Sequence, residues 1–597
     1  MHTRYIALIA SDAESLALAL SDMAARLRNL PDFDLVFDVD GLKIFADGAR
    51  QMMLSPHGVL FGTLFAGSDE PRVVETLSPA DWAQISASAG KSLIDRFWGN
   101  YVAIMRDEAS HAVHVIRAPL GDLPCYHLQE HGVTIVTSDV EGLIAAGLLR
   151  PAIDWSFVAG HLLREHFRPS ATGLSGLTEL LGGTRLTVTG GNRHIEQLWS
   201  PWTFAGREAQ IADEASAIDR VRETTLACVN AWGARFRHIV LGVSGGLDSS
   251  IVAACLARGD TPISCLTLAT QDAGGDERLY ARDLATHLGI PLHEDFEDLG
   301  LVDLGRSDAS HLPRPLARAF AQSGDHLNLR LAARVGADAF FSGAGGDNIF
   351  CYLPSAAPIA DRLLVHGASA GVVKTIRDVS RLTDSSIWTA AMMGIRRAWF
   401  RERGYTWPCN ATFLTPEAVA RASALGYHPW LDAPRNALPG KATHIAWLIG
   451  IQNHLEGFNR ERTRAMVAPL LSQPLVELCL QIPSWMWCAD GWNRSIARRA
   501  FAQDLPRSIV ERRSKGSPGS FVIEIYEANR SAIRALLSGG LLAQAGIIDI
   551  DSVTAVIDDP RPVRANHYSR IMGLVDVEVW LRAWERRRME ISSAAIR

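Results

Sequence analysis

Cysteine is scarce. Eight residues (125, 228, 255, 265, 351, 409, 479 and 488) are spread over 597, with no Cys-x-x-Cys pair. That spacing excludes a dense disulfide framework, argues against structural zinc, and leads us to expect reduced thiols in a cytoplasmic protein. Net charge is small as well: 59 Lys and Arg against 65 Asp and Glu leave −6, so no global basic field points to nucleic acid. Long apolar runs are missing too. A membrane span needs about 18 consecutive apolar residues, and the N-terminal candidate is broken by Asp12, Glu14 and Asp22. Neither a transmembrane helix nor a signal peptide is expected. With 48% hydrophobic and 21% charged residues, the chain has the make-up of a globular protein, and its length predicts more than one core.

Short apolar runs separated by turn signals fill residues 1–205: Leu35–Phe37, Gly58–Phe61, Tyr101–Met105, Ala112–Ile116 and Val133–Val136. They predict an α+β unit rich in strands. From residue 206 the pattern changes. Strand-like His238–Val243 precedes a helix from Leu247 to about Arg258, then strand-like Ile263–Leu268 precedes a helix over Glu277–Leu288. Such alternation predicts an α/β unit with a parallel sheet, and beyond residue 355 the periodicity is helical, including Val577, Trp580, Leu581 and Trp584.

The strongest chemical signal is Ser244-Gly245-Gly246-Leu247-Asp248-Ser249-Ser250, which follows an apolar strand and opens a helix. Two glycines let the backbone approach a polyphosphate, helix N–H groups point at the anion, and the serines add donors. Asp248 would be repelled by a phosphate unless Mg²⁺ lay between them, because that ion takes carboxylate and phosphate oxygens together. A capped Gly-Gly turn is the simpler reading. It leaves unexplained why strand, loop and helix fall where a phosphate site needs them. The loop lacks the Gly-Lys-Ser/Thr ending of kinase-like sites, so γ-phosphoryl transfer is disfavoured.

A second loop, Ser342-Gly343-Ala344-Gly345-Gly346-Asp347-Asn348, follows the apolar run Ala337–Phe341. Strand ends of an open parallel sheet converge on one crevice, so Asp248 and Asp347 are candidates to share one metal nucleotide. A third element is basic: Arg512-Arg513-Ser514-Lys515-Gly516.

The first loop resembles the pyrophosphate loop of ATP pyrophosphatases, and the three segments in this order resemble the asparagine synthetase family. Arg96–Tyr101, Arg117–His127 and Thr137–Val140 resemble its glutaminase-like (glutamine amidotransferase type 2) half. The resemblance implies an Ntn-hydrolase-like domain over residues 1–205. An adenylating ATP pyrophosphatase domain with a helical C-terminal part would occupy residues 206–597. It implies ATP and Mg²⁺ as cofactors, with pyrophosphate cradled by Ser244, Gly245, Gly246, Leu247, Ser249 and Ser250. Val243, Thr267, Ser342 and Gly343 would hold adenosine through the backbone. Asp248 and Asp347 would hold the metal, and Lys515 would stabilise the acyl-adenylate transition state.

Departures from the family narrow the expectation. Glutamine-hydrolysing members carry Cys directly after the initiator Met, whereas this sequence reads Met1-His2-Thr3, so no glutaminase activity is expected. Asparagine-forming members carry acids where Ala344 and Asn348 stand, and a Glu-x-Arg pattern where Ala465-Met466-Val467 stands. A pocket for free aspartate and ammonia would lack charge partners. β-Lactam synthetases and lasso peptide cyclases also combine an inactive glutaminase half with a working adenylating half. The β-lactam enzymes use a second-loop tyrosine that Ala344 replaces here. A peptide α-amine, with pKa about 7.7–8.0, has less need of such a base.

The resemblance therefore points to a lasso peptide cyclase, which adenylates an Asp or Glu side chain of a precursor peptide for attack by the peptide's N-terminal amine. A leader-binding protein and a cysteine protease are the implied partners. The alternative is a ligase of asparagine-synthetase or β-lactam type acting on a small acid. Trp485, Trp487 and Trp492 are expected in the core, as are Cys255 and Cys265; His444, His454 and Glu456 receive no role.

Overall fold

The computed structural model describes residues 3–10, 14–48, 51–54, 57–270, 276–400, 402, 404–422, 426–513, 519–561 and 567–594. Two antiparallel sheets make up the N-terminal unit. One runs in the order Thr178–Glu179, Tyr126–Glu130, Val133–Thr137, Tyr5–Ile9, Leu42–Ala46, Asp34–Val39. The other is built on Phe97–Arg106 between Gly58–Ala66 and Val113–Arg117.

Alternation along the strands explains the layering. Tyr5, Ala7 and Ile9 pack inward against Val59, Phe61, Val102 and Ile104 of the facing sheet. Ile6 and Leu8 point the other way, onto Leu20, Met23 and Leu27 of helix Glu14–Arg28. Leu60, Ala103 and Met105 likewise turn outward, towards Ile85, Leu93 and Ile94. The result is helix, sheet, sheet, helix, an α+β unit in which the predicted strands all form.

The second unit is a five-stranded parallel sheet in the order Leu292–Phe296, Ile263–Ala269, Ile239–Gly242, Ala339–Phe341, Ala465–Val467. Strand order reverses at Ile239–Gly242, so the loops after it and after Ala339–Phe341 open side by side. The last strand, Ala465–Val467, lies in a stretch whose periodicity reads as helical. Three residues are too few to show a period, and its partner stands over a hundred residues away. Helices complete the rest, ending in His567–Ala594 with Trp580 and Trp584 buried. Among the described residues no helix is long and apolar enough to cross a membrane. All eight cysteines are unpaired, and only Cys409 is exposed.

A buried ionic cluster ties the two units together. Glu179 is fully enclosed and meets Arg117 at 2.6 Å, Arg168 at 2.7 Å and Arg314 at 2.7 Å. Arg168 also donates to Glu456 at 2.6 Å and to the Gln452 carbonyl at 2.9 Å. Burial pushes the Glu179 carboxyl up, but the three guanidiniums outweigh it and hold the group well below the usual range. Glu456, left without a role by its sequence context, is therefore one anchor of this junction.

Candidate active site

The two glycine loops enclose a cavity of about 470 Å³ at the C-terminal ends of the central strands, where an open parallel sheet places its ligands. Val243, Ser244, Gly246, Leu247, Asp248, Ser249, Gly343 and Asp347 line it. The other four expected contacts are not on its wall. Gly245 carries the turn at φ +62, with its α-carbon pressed against Tyr280: an added Cβ would stand 2.3 Å from that side chain. Ser250 Oγ donates to the Gly246 carbonyl at 2.8 Å. Thr267 is buried between Leu266 and Leu268, the two residues of its strand that do reach the cavity. Ser342 closes the sheet instead, its N–H donating to the Val467 carbonyl at 3.2 Å.

Helix Leu247–Leu256 starts at Gly246, whose missing side chain leaves the helix without a side-chain cap. An N-terminus of this kind, opening on a cavity, favours an anion. The loops touch backbone to backbone. A Cβ on Gly343 would lie 2.4 Å from the Ser249 nitrogen, and one on Gly346 would lie 2.2 Å from Asp248 Cγ. Glycine is thus required at both positions by close approach.

Arg494 joins the two carboxylates. Its Nη1 donates to Asp248 Oδ2 at 2.8 Å and to Asp347 Oδ1 at 2.6 Å. The acids therefore converge on a single cationic atom, and both already carry charge partners there. Arg498 and Arg512 also line the cavity. Burial, followed by the charge of Arg494, pulls the Arg498 guanidinium down to about 10. Arg512 Nη1 donates to the Gly245 carbonyl at 3.1 Å and its Nη2 to Glu277 at 2.5 Å, clamping the first loop. The basic segment accordingly reaches the first loop through Arg512. Lys515, three residues on, lies outside the described residues.

Arg494 was not marked by the sequence, whereas Arg498 belongs to Ala497-Arg498-Arg499-Ala500-Phe501, the run that leads into the basic segment. The nearest signal was the aromatic Trp492, expected in the core. Trp485 and Trp487 are indeed buried. Trp492 is only half-buried and serves as a platform, with Arg498 at 5.3 Å and Arg513 at 4.1 Å from its ring. His444 is buried and bonds the Ile349 carbonyl at 3.0 Å, which braces the helix after the second loop. His454 meets His166 at 3.2 Å.

The convergence of Asp248 and Asp347 on a cation fits Mg²⁺, which binds through one or two carboxylates and completes its shell with water and phosphate oxygens. Among the described residues no group of three or more His, Cys, Asp or Glu could hold a metal, so a dedicated all-protein cage of such ligands is absent. Ala344 and Asn348 both line the cavity, and the Asn348 amide is tied to the Trp447 carbonyl at 2.8 Å. Cys125, the first cysteine of the sequence, is buried between the N-terminal sheets, where burial pushes its thiol up to about 11. A thiol of that kind is a poor nucleophile at neutral pH.

The asparagine synthase family matches residues 220–406 and 465–582, together just over half of the chain and including both glycine loops and the basic segment. No curated protein matches the chain. Among solved structures, one described as the allosteric regulatory enzyme of purine biosynthesis is 10% identical over 51% of this chain and 76% of its own, with a TM-score of 0.19. Glutamine phosphoribosylpyrophosphate amidotransferase from B. subtilis, complexed with ADP and GMP, is 9% identical over 49% and 81%, with a TM-score of 0.20. Similarities that faint carry no argument about this chain.

Proposed function

We propose, from the premise that this chain belongs to the asparagine synthase family and is an ATP-dependent, AMP-forming amide ligase, that its acid and its amine lie in one ribosomally made peptide. An Asp or Glu side-chain carboxylate attacks the α-phosphorus of ATP and pyrophosphate leaves. The peptide's N-terminal amine then attacks the acyl-adenylate, AMP departs with the C–O bond electrons, the amine loses a proton, and a macrolactam closes as in lasso peptides.

The first loop and the start of helix Leu247–Leu256 receive the pyrophosphate, with Arg494 and Arg498 within the same cavity. Asp248 and Asp347 would hold Mg²⁺, which supplies positive charge to the polyphosphate. Lys515 is assigned to the acyl-adenylate transition state. Val243 and Gly343 are assigned to adenosine through their backbone, while Thr267 and Ser342, which stand off the cavity wall, would only back that contact.

The peptide reading is supported chiefly by the cavity wall. Ala344 and Asn348 stand where an ammonia-using, aspartate-binding site needs acids, and Asn348 is already engaged with backbone. An amine without a charge partner must be delivered by the rest of its own molecule, which turns a bimolecular encounter into a positioned one. A leader-binding protein and a cysteine protease would supply the trimmed peptide.

Mass spectrometry of a candidate peptide incubated with the chain, its protease partner, ATP and Mg²⁺ tests this. Loss of one water with AMP formed is expected. AMP without a dehydrated peptide would transfer the reading to a small acid. Asp248→Ala, Asp347→Ala and Lys515→Ala should each abolish closure without unfolding the protein; full activity in any one removes that residue from the mechanism.

A further inference from the structure

Arg494 has an unusual combination of properties. Its side chain is only 7% exposed, its backbone sits in the left-handed region at φ +52, and its one Nη1 atom serves both acids of the candidate metal pair. A non-glycine residue rarely adopts that backbone, and such strain collects at functional sites. The guanidinium is braced on several sides: Nε donates to Asn493 Oδ1 at 3.1 Å, and the Tyr352 ring lies 5.5 Å from its centre.

We infer that Arg494 is a resident counter-ion that excludes a bare divalent cation from Asp248 and Asp347 and yields the pair only to a metal arriving with a polyphosphate. The inference rests on the reading of those two residues as the metal pair. Mg²⁺ binds its oxygens at about 2.0–2.1 Å, so it cannot occupy the space where an arginine nitrogen already touches both carboxylates.

Charge sets the order of events. On the cavity wall Arg494 and Arg498 face two carboxylates while Arg512 is paired with Glu277, so a dication entering alone would have to displace the Arg494 guanidinium while bringing it no anion in exchange. Nucleotide phosphates reverse that balance. They also offer the displaced guanidinium a planar, bidentate partner of the kind it prefers, beside Arg498 on the same wall. One residue thus satisfies the buried acids while the site is empty and a phosphate once it is filled. Neither state leaves a buried charge alone.

The test measures Mn²⁺, a paramagnetic stand-in for Mg²⁺, binding to the full chain by electron paramagnetic resonance, with thermal unfolding in parallel. Without nucleotide the wild type should bind Mn²⁺ at least a hundredfold more weakly than with a non-hydrolysable ATP analogue; equal affinities would overturn the inference. Arg494→Gln should bind Mn²⁺ at least tenfold more tightly than wild type without nucleotide and be stabilised by it against heat. Arg494→Lys, which keeps the charge, should still exclude the metal. Tight binding that survives Asp248→Asn and Asp347→Asn in the Arg494→Gln background would place the ion elsewhere and overturn the inference too. Should neither wild type nor variant bind Mn²⁺ even with the nucleotide analogue, the metal-pair reading itself fails, and the inference with it. The wild-type comparison stands even if Arg494→Gln does not fold.

Discussion

Gly343→Ala isolates how tightly the two loops are fitted. The new Cβ would stand 2.4 Å from the Ser249 nitrogen and 2.8 Å from both the Asp248 carbonyl carbon and the Ser249 Cα. Favourable carbon contacts begin at about 3.5 Å, so the loops must part by roughly 1 Å. All three obstructing atoms are backbone at the start of helix Leu247–Leu256, and none can rotate aside. A shift of about 1 Å at a reacting site costs on the order of 100-fold in rate, and overpacking costs about 1–3 kcal/mol of stability. We expect the Mg·ATP-induced rise in melting temperature to vanish in Gly343→Ala and adenylation to fall about 100-fold. The unliganded protein should lose only a few degrees. Gly573→Ala serves as the control: it lies in the C-terminal helix with nothing near its added Cβ, and should gain about 0.5–1 kcal/mol by lowering backbone entropy in the unfolded chain. Undiminished Mg·ATP stabilisation in Gly343→Ala would refute the view that loop contact shapes the site.

Two further outcomes follow from buried charge. Glu179→Gln strands Arg117, Arg168 and Arg314 without their shared carboxylate, and should cost about 3–5 kcal/mol in urea unfolding; a loss below about 1 kcal/mol would show that the cluster does not hold the units together. Burial pushes the Asp576 carboxyl up to about 7, against the opposing Ala319 N–H and Arg318. The folded state therefore binds more protons than the unfolded one between about pH 4 and pH 7, and this group's contribution to stability falls as pH rises through that window, then stays level. Asp576→Asn should remove the slope and be more stable than wild type at pH 8 by roughly 4 kcal/mol, with the gap closing towards pH 4. Parallel wild-type and variant profiles would refute it.

Local features of this chain were legible because their physics is local. A polyphosphate loop needs adjacent glycines, a preceding strand and a following helix, all contiguous in sequence, so Ser244–Ser250 and Ser342–Asn348 announced themselves. Strand alternation did the same for Tyr101–Met105 and its neighbours. Strand Ala465–Val467 escaped because three residues cannot display a period and parallel pairing leaves no turn signal.

Arg494 escaped for a deeper reason. It lies 246 residues from Asp248 and 147 from Asp347, in a stretch whose spacing says nothing of phosphate. Opposite charges need only meet in space, and Coulomb attraction in a cavity walled off from water takes no account of chain separation. The same holds for Glu179 and its three arginines, and for Trp492, whose ring faces guanidiniums where core packing was expected. By itself the sequence determined the loops, the strand and helix periods and the reaction class, each set by neighbours a few residues apart. Only the tertiary structure decided which charges face one another, because that depends on how the five parallel strands stack and on where the C-terminal helices close over them.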